Sequence, residues 1–103
     1  MQNQSQEWRW FNTNIPSITS IDNALKIYYS NSEIGNNEIS TLFGKRSSDT
    51  ICRLKRIVKD EMNARDVYSY GANKVNTEIA YEVWGIDVAD LEKRMKKMKQ
   101  LNL

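Results

Sequence analysis

The sequence predicts an all-α fold of about five helices, a compact helical domain. Three observations carry that expectation. Apolar residues recur at three- and four-residue spacing in five segments. Clusters of Gly, Asn and Ser punctuate those segments at helix-length intervals. No run alternates apolar and polar residues for long enough to make a substantial strand. With 103 residues, 40% apolar and 27% charged, the chain is long enough for a single core. Residues 17–103 are expected to form that domain, and residues 1–16 a polar tail anchored by aromatic side chains.

Trp8, Trp10 and Phe11 are the aromatics of the tail, and the domain's own core is their expected anchor. Pro16 introduces the first helix, with Ser17, Thr19 and Ser20 as candidate caps. From about Ser20 to Ser30, Ile21, Ala24, Leu25 and Tyr28 line one face of an amphipathic helix. The turn formers of NSEIGNN follow, and Asn36 or Asn37 can cap a second helix over 37–43, with Ile39, Leu42 and Phe43 inward. Gly44 suits the sharp stop.

A third helix starts with Ser47 or Ser48 as cap and runs to about Ala64, and Asp49 sits near its positive end, where capping is its favoured role over a base contact. At 100° per residue Ile51, Leu54, Ile57 and Val58 form its core face. Asp49, Cys52, Arg53, Arg56 and Lys59 lie opposite, with Lys55 on the flank. Residues 66–75 form either a plain turn or a short hairpin or wing, with tyrosines suited to packing. TEIAYEVW predicts a fourth helix from Asn76 or Thr77 to Trp84, stopped by Gly85. A fifth follows from about Asp87 to Leu101, with Val88, Leu91, Met95 and Met98 at alternating three- and four-residue steps. TEIAYEVWGID faintly echoes NEISTLFG, but the spacing from the Glu-Ile pair to the glycine differs by one, so it is not read as a repeat.

Charge is segregated along the chain. Residues 45–59 hold Lys45, Arg46, Arg53, Lys55, Arg56 and Lys59 against Asp49 alone, and the last eleven residues carry five cations and no acid. Two such islands in an otherwise mildly acidic chain are the footprint of phosphate contacts, and a solvated helix face is the plainer alternative. The string LFGKRSSDTICRLKR, with its glycine turn, Thr-Ile pair and following arginine, resembles the helix-turn-helix of small bacterial and phage DNA-binding proteins. About 20 residues carry the likeness. It departs from the commonest form in a turn one residue longer and in Lys45 replacing an apolar residue, and a longer-turn variant fits better.

The resemblance implies that the third helix reads the major groove of double-stranded DNA. Arg53 and Arg56 are then the expected base readers, since a guanidinium can bond bidentately to guanine. Lys45, Arg46, Ser47 and Ser48 are expected to hold the DNA backbone, with Lys55 and Lys59 completing the site. A transcriptional regulator is the leading expectation. A DNA-packaging or recombination accessory factor, or a protein-interaction module using the WRWF segment and the last helix, is the alternative, and that helix also offers a homodimer seam.

Other classes are disfavoured. No histidine, phosphate-binding glycine loop or cysteine cluster is present, so no enzyme, metal or cofactor is expected. Cys52 has no second thiol to pair with, and there is no apolar run of about 20 residues or signal-peptide pattern, so a cytoplasmic protein without membrane attachment is expected.

Overall fold

The structure, a computed structural model, describes residues 15–101. The expected tail and its WRWF aromatics lie outside the described residues. Within them are five helices: α1 (Ile21–Ser30), α2 (Asn36–Phe43), α3 (Ser48–Ala64), α4 (Thr77–Trp84) and α5 (Val88–Leu101). Two short strands, β1 (Glu33–Ile34) and β2 (Val75–Asn76), complete the order α1–β1–α2–α3–β2–α4–α5. The chain is mostly helical, as expected.

Local chemistry sets the helix ends. Ser20 caps α1 by accepting from the Asn23 N–H at 3.2 Å, and Asn76 caps α4 by accepting from Ile79 at 2.9 Å. Gly35 has no side chain to cap α2, so the Glu38 carboxylate reaches back and accepts the Gly35 N–H at 2.7 Å. Both short helices stop at glycines with positive φ, Gly44 at 83° and Gly85 at 74°.

The hairpin or wing expected over residues 66–75 is not formed. Val75–Asn76 is the only strand there, and it pairs antiparallel with Glu33–Ile34 in the register Glu33↔Asn76 and Ile34↔Val75. A two-residue strand can find its partner about forty residues upstream because both its inward side chains, Ile34 and Val75, are fully buried.

One core joins all the helices. Ala24, Ile27, Ile34, Ile39, Leu42, Phe43, Leu54, Val58, Met62, Val75, Ile79, Ala80, Tyr81, Val83, Trp84 and Leu91 are buried in it. Trp84 donates its indole N–H to the Leu54 carbonyl at 3.1 Å, and its ring meets Phe43 edge-on at 5.3 Å. Tyr81 donates to the Ala24 carbonyl at 2.6 Å, tying α4 to α1.

Strand register also corrects the treatment of the internal echo. Pairing Ile34 with Val75 aligns the two halves without a gap at a spacing of 41 residues: Leu42 with Val83, Phe43 with Trp84, Gly44 with Gly85, Asp49 with Asp90, Arg53 with Arg94 and Lys55 with Lys96. Each half is a two-residue strand, an eight-residue helix, a positive-φ glycine and a longer basic helix. The Glu-Ile pairs that misled the sequence comparison belong to different turns of their helices.

Candidate nucleic-acid interface

The chain from α2 to α3 sets the geometry of the candidate site. Thr19 closes the C-terminal end of α2, its N–H donating to the Leu42 carbonyl at 2.8 Å and its hydroxyl to the Thr41 and Leu42 carbonyls. Arg46 adds a bond from Nε to the Phe43 carbonyl at 3.0 Å. Helix ends leave carbonyls without intrahelical partners, so a guanidinium placed there has a structural use. Residues 44–47 then cross to α3. Ser47 caps it, accepting from the Thr50 N–H at 3.3 Å and sharing a hydroxyl pair with Thr50 at 3.0 Å. Asp49 is therefore not the cap that sequence favoured; it sits in the first turn, where its charge suits the helix dipole.

Helix α3 buries one face and exposes the other. Leu54, Val58 and Met62 are buried, with Ile51 and Ile57 half-buried against the same core. Asp49, Cys52, Arg56 and Lys59 are exposed, and Arg53 is half-buried at the edge. Lys45, Arg46, Ser47 and Ser48 are also exposed at the start of α3. Six of the eight expected contact residues thus share one accessible region, although Arg46 and Ser47 already use polar atoms in capping.

Lys55 departs from expectation. It is only 9% exposed, and its ammonium donates to Asn36 Oδ1 at 3.1 Å, joining α3 to the first residue of α2. Burial lowers its pKa, with the charge of Lys59 adding to the effect. The helical wheel placed Lys55 on the flank, and α2 covers that flank. The ammonium works as a structural tie.

Sequence reasoning also missed what surrounds this flank. A shallow cleft beside Asn36 is lined by Gly35, Asn37, Glu38, Asn73 and Lys74. Lys74, in a stretch dominated by acids, carries the only cation of the 66–86 segment to the edge of the α2 N-terminus. Nothing in its sequence neighbourhood signals that position, because the β1–β2 pairing creates it.

On the far side, Arg65 bridges α3 and α4 through Glu61 at 2.7 Å and Glu82 at 2.9 Å. These carboxylates raise the guanidinium pKa, and Arg65 in turn lowers that of Glu82. The cation is neutralised where it stands. Helix α5 carries Lys93, Arg94, Lys96, Lys97 and Lys99 on exposed positions, with Arg94 paired to Asp90 at 2.8 Å.

Among the described residues, no three His, Cys, Asp or Glu side chains group to hold a metal ion, and no helix is long and apolar enough to cross a membrane. No family model, curated protein or solved structure matches the chain.

Proposed function

We propose that the protein binds double-stranded DNA in a sequence-dependent manner, with α2, the 44–47 turn and α3 acting as a helix-turn-helix and α3 entering the major groove. The observation that carries this proposal is the accessible strip of Lys45, Ser48, Arg56 and Lys59 along α3 and its approach, opposite a face packed into the core. A rigidly backed helix can hold cations at fixed spacing against phosphates, which a solvated flexible segment cannot do without losing side-chain and backbone entropy. Arg56, with Arg53 at the edge, is the base reader; Lys45, Ser48 and Lys59 hold the backbone. The role is that of a bacterial or phage transcriptional regulator.

Fluorescence anisotropy on labelled duplexes tests the proposal. If five or six phosphates are neutralised, log affinity falls against log salt with a slope on the order of −5. Absence of duplex binding at low salt contradicts it.

One observation favours a second role for α5. Its seam passes from buried Leu91 through half-buried Met95 to Met98 and Leu101, which are 47% and 84% exposed. That apolar end suits a homodimer, which would deliver two α3 helices to half-sites about 34 Å apart. Sedimentation equilibrium with and without Met98→Glu distinguishes monomer from dimer.

A further inference from the structure

The two halves of the repeat differ most in the connection that precedes each strand. Asn31 and Ser32 alone join α1 to β1, whereas residues 65–74 join α3 to β2. An insertion into one half of a repeat is a place where function is added without disturbing the shared core.

This insertion is ordered by specific bonds. The Glu33 carboxylate accepts the N–H of Tyr70 at 2.7 Å and that of Gly71 at 2.9 Å, one oxygen to each. Ser69 donates its hydroxyl to the Lys74 carbonyl at 2.6 Å, closing the loop on itself. Gly71 is needed for the close approach, since a Cβ there would come within 2.9 Å of Lys74 Cδ and 3.3 Å of Glu33 Oε1. Asn73 takes positive φ, at 62°, to finish the turn.

The ordered backbone holds two large aromatic side chains in water. Tyr68 is 73% exposed and Tyr70 is 99% exposed. The expectation that these tyrosines pack is overturned, because the loop turns outward from the core. Holding them away from the core forgoes the stabilisation that burying a ring of this size supplies.

The loop adjoins the candidate interface. Lys74 runs along Gly35, and Ala72, Asn73 and Lys74 line the cleft beside Asn36, the residue that receives the Lys55 ammonium from α3. Loop, α2 N-terminus and the Lys55–Lys59 flank of α3 are therefore continuous. A cation on each side of this edge, Lys59 and Lys74, favours a polyanion over an apolar peptide as its occupant.

We infer that the loop of residues 67–74 is a second contact surface for the same duplex, in which the hydroxyls of Tyr68 and Tyr70 donate to phosphate oxygens beside the groove that α3 enters. This rests on the DNA-binding proposal above. Tyrosyl hydroxyls are backbone-positioning donors that carry no sequence information. Being neutral, they release no counterions, so they add affinity without adding salt dependence.

That combination sets the test. Tyr68→Phe, Tyr70→Phe and the double Phe variant are titrated with duplex DNA across a salt series, beside the wild-type protein and Arg56→Ala. Each lost hydroxyl weakens binding about tenfold, as for a hydrogen bond to a charged acceptor, and leaves the salt slope unchanged. Lys74→Ala lowers the slope by about 0.9. Wild-type affinity in the double Phe variant overturns the inference, as it must if the tyrosines serve a protein partner instead. If Arg56→Ala still weakens binding in that case, DNA binding through α3 survives the loss. Failure of the wild-type protein to bind any duplex removes both.

Discussion

Replacing Tyr81 with Phe probes the junction of α1 and α4 with one atom removed. Tyr81 is 1% exposed, and its hydroxyl donates to the Ala24 carbonyl at 2.6 Å across 57 residues of sequence. The carbonyl lies inside α1, where the helix supplies it with an amide partner, so deletion does not strand a buried acceptor. The cost is therefore that of one net hydrogen bond, about 1 to 1.5 kcal/mol. For a chain of this length unfolding entropy is about 0.2 kcal/mol per degree, so Tm falls by about 5 to 7 °C. A pH dependence accompanies it. Burial raises the Tyr81 pKa, helped by the neighbouring Tyr28 ring at 4.9 Å, so the folded state keeps the proton above pH 10 where the unfolded chain releases it. This contribution is fully present below pH 10 and is lost as pH rises further. Thermal unfolding by circular dichroism at pH 7 and near pH 10.5 reads both effects. A Tm within about 2 °C of wild type at pH 7, or an unchanged alkaline limb, refutes this account of the junction.

Other substitutions test separate parts of the structure. Thr77 Oγ1 is buried without a hydrogen-bond partner, so Thr77→Val is expected to stabilise the protein by about 1 kcal/mol and raise Tm accordingly. Gly44→Ala places a Cβ at φ 83° and ψ 173°, a conformation reserved for glycine, and is expected to cost about 1 to 3 kcal/mol in urea unfolding. Lys55→Met retains the buried stem, so duplex affinity should stay within about twofold of wild type, which a lysine neutralising a phosphate would not allow. Because the folded-state pKa of Lys55 lies below that of the unfolded chain, wild-type stability rises with pH as the unfolded value is approached. The Met variant lacks that rise, and comparing urea midpoints at pH 8 and pH 10 measures it.

The helices were legible because their ends carry local signals. Ser20, Ser47 and Asn76 cap the starts expected of them, and Gly44 and Gly85 mark the stops. Each is a decision made within a few residues. The strand pairing was not legible, since two residues offer no period to read and the partner lies about forty positions away. Errors about side chains descend from that one missing contact. It places the α2 N-terminus over Lys55, brings Lys74 to the same edge, and holds the Tyr68–Tyr70 loop clear of the core on Glu33. The repeat was hidden for the same reason, because only strand register shows that Phe43 corresponds to Trp84. In the candidate interface, residue types and exposure on α3 followed from helical period alone, and Lys55 failed where a neighbouring helix overrode it.

The most direct measurement is equilibrium binding of the Arg53→Ala/Arg56→Ala protein to the wild-type protein's preferred duplex and to an unrelated one, with folding verified by circular dichroism. Loss of two base-reading guanidiniums is expected to lower affinity for the preferred duplex by at least about 100-fold while affinity for the unrelated duplex falls far less, so that the preference collapses. Retention of wild-type affinity and preference contradicts the assignment of α3 as the reading helix.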